Sequence, residues 1–151
     1  MNQRLKVMAI ASSGGHWVQL QRMQHAFNEA DIVYVSTHKE YKPTRPNDKF
    51  YSVTDASRWN KMLLIKMTGE VLQLIRKEKP DVIISTGAAP GLAGILIGKL
   101  HGCKTIWVDS IANIEHISLS GRLIKPFTDL HLTQWPELAE GKTLFKGTVI
   151  S

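Results

Sequence analysis

The sequence is as informative in what it lacks as in what it holds. Its 151 residues include one cysteine, Cys103, so no disulfide can form within the chain, as expected of a reducing compartment. No apolar run reaches the roughly 18 residues that a membrane-spanning helix needs. The opening run Leu5-Lys6-Val7-Met8-Ala9-Ile10 is short, and no small-residue cleavage site follows it, so no signal peptide is expected. Carboxylates are the scarcer charge: 13 Asp+Glu stand against 19 Lys+Arg, a net +6 that suits an anionic partner. With 43% hydrophobic and 21% charged residues, disordered and collagen-like readings are excluded. Several signatures are missing as well. There is no G-x-G-x-x-G dinucleotide fingerprint, and no G-K-S/T follows the glycine-rich residues 12–16 as a P-loop would require. There is no G-x-S-x-G esterase elbow, no Asp-x-Asp pair, and no histidine spacing that would ligate a metal.

What is present is an alternation of strands and helices. Apolar runs predict strands at 5–11, 32–36, 50–53, 82–85, 105–108 and 130–133. Helical periodicity predicts helices at 17–30, 58–78, 91–100 and 120–126. Residues 37–47, with Pro43 and Pro46, and 111–118 read as loops, and 86–90 as a turn. This order implies an α/β, Rossmann-like doubly wound parallel sheet in one domain spanning residues 1–151. Ligands in such sheets bind beyond the carboxyl ends of the strands, which selects three loops.

The first is Ser12-Ser13-Gly14-Gly15-His16. Two glycines before a helix start let backbone N–H groups face an anion such as a diphosphate, although a serine-capped tight turn has the same pattern. His16 at the helix start is a candidate general base, or a simple hydrogen-bond donor. The second loop, Thr86-Gly87-Ala88-Ala89-Pro90-Gly91, is small enough for a ligand to approach its backbone, or for a helix to pack closely on the sheet. The third opens with Asp109, which directly follows the buried run Ile106-Trp107-Val108. A carboxylate there can accept a proton from a substrate hydroxyl, or organise its own turn.

The long helix carries much of the charge, with six Lys/Arg and two Glu between residues 58 and 79. Leu63, Leu64, Met67, Val71, Leu74 and Ile75 form its core face, while Trp59, Met62, Ile65 and Leu72 fall outside it. Arg58, Lys61 and Lys66 interleave with Trp59, Met62 and Ile65, a pattern suited to an anionic membrane surface, although a protein–protein contact or an ordinary core helix has the same pattern. A nucleic-acid partner is disfavoured, because the charge sits on an amphipathic helix and not among exposed stacking aromatics.

Together these loops resemble a known family. Ala11-Ser12-Ser13-Gly14-Gly15-His16 and Ser85-Thr86-Gly87-Ala88-Ala89-Pro90 resemble the two glycine-rich loops of lipid-linked N-acetylglucosaminyltransferases. Three further stretches are more specific: Asp109-Ser110-Ile111-Ala112-Asn113, Ser118-Leu119-Ser120-Gly121-Arg122-Leu123 and Gln134-Trp135-Pro136-Glu137-Leu138. They resemble the membrane-anchor subunit of the two-part enzyme that adds the second GlcNAc to dolichol diphosphate. Bacterial PssD-type exopolysaccharide subunits are similar, and the one-chain MurG is a more distant relative. Phe145-Lys146-Gly147-Thr148-Val149-Ile150-Ser151 is similar to the family's last strand. The eukaryotic subunits carry an N-terminal membrane helix, which this sequence lacks. The family often has glutamate where Asp109 stands and arginine where Asn113 stands.

The resemblance implies the N-terminal, acceptor-binding half of a GT-B glycosyltransferase, active only with a donor-binding partner subunit as a heterodimer. Ser12, Ser13, Gly14, Gly15, Thr86, Gly87, Ala88, Ser110 and Asn113 would bind the diphosphate and sugar of a polyprenyl-linked acceptor. The UDP-sugar would sit at the subunit interface, and His16 or Asp109 would be the base. No metal or other cofactor is expected. The protein would be cytoplasmic and peripheral on the inner face of the cell membrane. A non-catalytic membrane scaffold that recruits a catalytic subunit fits the same resemblance.

Overall fold

The computed structural model describes residues 4–43, 45–57 and 59–150. Among these residues seven strands form one sheet, and every pairing in it is parallel: β1 Lys6–Ala11, β2 Asp31–Ser36, β3 Lys49–Ser52, β4 Val82–Gly87, β5 Lys104–Val108, β6 Leu130–Thr133 and β7 Thr143–Phe145. The spatial order is β3-β2-β1-β4-β5-β6-β7, so the direction of winding reverses between β1 and β4. A crevice opens above such a reversal because the two following connections leave to opposite faces.

Alternation along β1 assigns the two cores. Met8 and Ile10 face one side, where they pack with Met67, Val71 and Ile75 of α2 (Lys61–Glu78), Ile95 of α3 (Ala88–Leu100) and Ile124 of α4 (Leu119–Ile124). Val7, Ala9 and Ala11 face the other side, with Trp17 and Leu20 of α1 (Gly15–Arg22) and with Phe27. The α/β doubly wound architecture is the one expected. Gly94 and Gly98 let α3 lie directly on the sheet: an added Cβ would come within 2.4 Å of Ile10 Cδ1 and of Ile83 Cδ1 respectively.

Three expected boundaries differ. The helix expected at 17–30 is α1, which starts at Gly15 and ends at Arg22, followed by a 3-10 turn over Gln24–Phe27. Phe27 is packed into the core beside Ile32 and Tyr34, and the Ala30 N–H bonds back to its carbonyl, so the chain turns at once into β2. The helix expected from 58 starts at Lys61. The Asn60 side chain caps it by accepting the Leu63 N–H at 3.1 Å, so Trp59 precedes the helix and Arg58 lies outside the described residues. The strand expected at 145–151 is instead β7, Thr143–Phe145. Gly147 takes a φ of +126°, and the Val149 N–H donates to Gln134 Oε1 at 3.0 Å instead of to a strand. Ser151 lies outside the described residues.

Candidate functional site

The β1–β4 reversal is bridged by a reciprocal pair of hydrogen bonds. Thr86 Oγ1 donates to the His16 carbonyl at 2.6 Å, and His16 Nδ1 lies 3.0 Å from the Thr86 carbonyl. A carbonyl only accepts, so Nδ1 carries the proton, and in the neutral ring Nε2 holds the free lone pair. The turn expected at 86–90 does not exist as a separate element, since β4 runs through Gly87 and α3 begins at Ala88. That abrupt passage needs unusual backbone. Gly87 has φ +144° and Ala88 φ +68°, and a Cβ on Gly87 would fall 2.5 Å from His16 Nδ1. Only glycine lets the imidazole lie over this strand end.

His16, Thr86, Gly87 and Ala88 form one wall of a cleft of about 370 Å³. The opposite wall comes from the segment that follows β5: Asp109, Ser110, Asn113, Ser118 and Leu119. Neither α1 nor α3 has a side-chain cap at its start. Two uncapped helix N-termini therefore meet at the reversal, each adding partial positive charge.

The cleft unites His16, Asp109, Thr86, Gly87, Ala88, Ser110 and Asn113 as the sequence reading expected, but not Ser12, Ser13, Gly14 or Gly15, which do not line it. In the glycine loop the Ser13 N–H donates to Thr37 Oγ1 (3.1 Å) and the Gly14 N–H to Tyr41 Oη (3.0 Å). Tyr41 is held for this by stacking on Trp17 on one side and His38 on the other. The positive φ belongs to Gly14, at +81°; Gly15 is helical with open space around it. The donors left to an anion here are those of Gly15, His16 and Trp17, in the first turn of α1, which no carbonyl four residues earlier in the helix can reach.

Asp109 is 1% exposed, and both its oxygens are engaged. Oδ1 accepts from Trp107 Nε1 (3.0 Å) and Ser118 Oγ (2.6 Å), while Oδ2 accepts from the Ser118 N–H (3.0 Å) and Asn113 Nδ2 (3.1 Å). Ser118 in turn caps α4, its Oγ accepting the Gly121 N–H at 2.9 Å. Gly121 is needed because a Cβ there would lie 2.6 Å from Asp109 Oδ1 and 2.9 Å from Trp107 Nε1. With four donors on it, this carboxylate holds the loop and α4 in place, whereas His16 keeps a ring nitrogen for the cleft.

Other site residues escaped the sequence reading. Gln19 Oε1 accepts from the Ile111 N–H (3.1 Å) and Gln134 Nε2 (2.7 Å), and Gln19 Nε2 donates to Ser110 Oγ at 3.1 Å. Gln134 Nε2 also reaches the Asp109 carbonyl, at 3.0 Å. These buried amides tie α1, β6 and the cleft loop together. The signals were a glutamine on the inner face of α1 and the place of Gln134 in the Gln134-Trp135-Pro136-Glu137-Leu138 stretch, neither of which gives the partner. On β6, His131 is fully buried between the Gly121 carbonyl, which accepts from Nε2 at 2.8 Å, and Thr143 Oγ1, 2.9 Å from Nδ1. Burial pushes its pKa down and favours the neutral ring.

The expected membrane contacts lie elsewhere, at the start of α2. Trp59, Met62 and Ile65 are 81%, 78% and 70% exposed, and Lys61 and Lys66 are exposed beside them. Among the described residues, no helix is long and apolar enough to cross a membrane.

Residues 7–149 match the family model of the Alg14-like oligosaccharide biosynthesis proteins. The chain belongs to this Alg14-like family. It is 28% identical over 163 residues to the UDP-N-acetylglucosamine transferase subunit ALG14 of Yarrowia lipolytica, a match covering 89% of this chain and 76% of that protein. It is 24% identical over 184 residues to human ALG14, covering 98% and 84%. Among solved structures, Acinetobacter baumannii MurG superposes with a TM-score of 0.75 at 15% identity, covering 97% of this chain and 46% of that one. The UDP complex of S. aureus MnaA gives 0.71 at 17%, covering 96% and 44%. The chain thus spans under half the length of these two structures, and they establish the fold it shares with them.

Proposed function

We propose that this chain is the acceptor-binding subunit of a heteromeric inverting glycosyltransferase. A separate donor-binding subunit brings the UDP-sugar to the interface, and the acceptor is a polyprenyl-diphosphate-linked saccharide used in polysaccharide biosynthesis. UDP-N-acetylglucosamine, the donor in the relatives' names, is the first to test.

The observation that carries this reading is the orientation of His16, whose Nδ1 proton is given to Thr86 so that Nε2 is left as the base in the cleft. In the transfer, Nε2 takes the proton of the acceptor hydroxyl and the hydroxyl oxygen attacks the anomeric carbon from the face opposite UDP. The bond to UDP breaks, UDP leaves with the electron pair, and the configuration inverts. The first-turn N–H groups of α1 and α3 cradle the acceptor diphosphate. Asn113, positioned by Asp109, and Ser110, positioned by Gln19, meet the sugar. The exposed start of α2 rests on the inner face of the cell membrane, on the cytoplasmic side where the acceptor's head group is presented.

The test pairs the chain with its donor-binding subunit and a diphosphate-lipid acceptor. The His16→Ala variant, folded by circular dichroism, is expected to lose roughly 10²- to 10⁴-fold in kcat, the usual range for a general base. The chain without its partner is expected to give no turnover. Full activity of His16→Ala, or turnover by the chain alone, overturns the reading.

A further inference from the structure

We propose that the outward face of α4 is a track for the first isoprene units of the lipid acceptor. The proposal rests on the acceptor reading above and adds to it where the lipid leaves the cleft.

Helix α4 has apolar residues on both sides. Ile124 is fully buried in the core, as expected of a helix lying on a sheet. Leu119 and Leu123, four residues apart and therefore on a common face, are 50% and 57% exposed. The core gives no reason for these two leucines. Nor can they turn inward, because α4 is fixed at its start by Ser118, held by Asp109, and by the fit of Gly121 against Asp109 and Trp107.

Leu119 belongs at once to this face and to the lining of the cleft. An apolar surface thus begins at the rim of the proposed diphosphate site and continues to Leu123, about 6 Å further along the helix axis. A polyprenyl diphosphate has the same order of parts, an anion joined directly to a branched hydrocarbon. The charges agree: residues 116–128 include Arg122 and Lys125 and no carboxylate.

The direction of the track is also set. Helices α2 and α4 bury Met67, Val71, Ile75 and Ile124 in the same core, and both pack against α3. The face of α4 therefore lies in the same helical layer as Trp59, Met62 and Ile65. A chain leaving the cleft over Leu119 and Leu123 stays on the side of the sheet proposed to meet the membrane.

The test measures binding of inorganic diphosphate and of farnesyl diphosphate to the full chain by calorimetry. The wild type is expected to bind farnesyl diphosphate roughly 10- to 30-fold more tightly than diphosphate, from partial burial of two leucines. The L119Q/L123Q variant is expected to lose that preference, the L123Q variant, changed outside the cleft lining, is expected to weaken it while its diphosphate affinity stays within about twofold, and L119M/L123M is expected to keep the preference. A wild type that binds diphosphate but has no farnesyl preference overturns the track and leaves the acceptor reading standing. A wild type that binds neither probe overturns both. A L119Q/L123Q variant that retains the preference overturns the track, and if it also fails to capture the donor-binding subunit, α4 is a subunit interface.

Discussion

Replacing Asp109 with asparagine separates two roles that a carboxylate at a strand end can play. The change keeps the shape and removes the charge. Four donors converge on the native group: Trp107 Nε1, Ser118 Oγ, the Ser118 N–H and Asn113 Nδ2. The best-tolerated orientation puts the new NH2 in place of Oδ2, because the Asn113 amide can flip to offer its oxygen. Even then the Ser118 N–H faces another donor, and no rotation relieves that clash. Hydrogen bonds to charged groups contribute about 1.5–3 kcal/mol each and neutral ones about 1, so one bond lost and others weakened should cost about 2–4 kcal/mol. At about 2–4 °C per kcal/mol for a domain of this size, the melting temperature should fall by roughly 5–15 °C. Urea unfolding with an unchanged m value would show that the native state alone is affected. Activity, measured below the transition, should fall with the disorder of the loop and show no loss of a single titrating base from the pH–rate profile. An Asp109→Asn protein with wild-type stability and no transfer would refute this reasoning and make Asp109 the base.

The remaining predictions use other parts of the site. Gly87→Ala places a methyl 2.5 Å from His16 Nδ1 and should displace the ring from Thr86, lowering kcat by about 100-fold while the chain stays folded by circular dichroism. Gly121→Ala, with its Cβ 2.6 Å from Asp109 Oδ1, should push α4 outward and cost about 1–3 kcal/mol in urea unfolding. For His131, burial lowers the folded-state pKa, so the unfolded chain binds the extra proton first as pH falls below about 6.5. Wild-type stability should therefore decline relative to His131→Gln on acidification from pH 7, until the pH passes the folded-state value, and parallel pH curves would contradict this. Lys61→Glu with Lys66→Glu should weaken sedimentation with phosphatidylglycerol vesicles by roughly 30-fold or more, at about 1 kcal/mol per basic residue, while leaving transfer to a water-soluble acceptor nearly unchanged.

The order of the elements, and the edge of the sheet where a ligand binds, were legible in the amino-acid pattern alone. Apolar runs such as residues 5–11 and 82–85, bounded by turn residues and separated by helices, point to strands covered on both faces and paired in parallel. The pattern also marked His16, Asp109 and the small residues Thr86, Gly87 and Ala88, because strand ends and glycine-rich starts of helices are local features. What each group does depended on partners far away in the chain. Tyr41 takes the Gly14 N–H from 27 residues away, and Gln134 reaches Gln19 across 115. The same kind of contact separates the two candidate bases: Asp109 meets four donors gathered from β5 and the loop that precedes α4, whereas His16 spends only one ring nitrogen on Thr86. Strand ends were misjudged for a related reason. Gly87 and Gly147 adopt their backbone angles under the demands of packing and of a side-chain hydrogen bond, and residue type alone does not say whether a glycine will use that freedom.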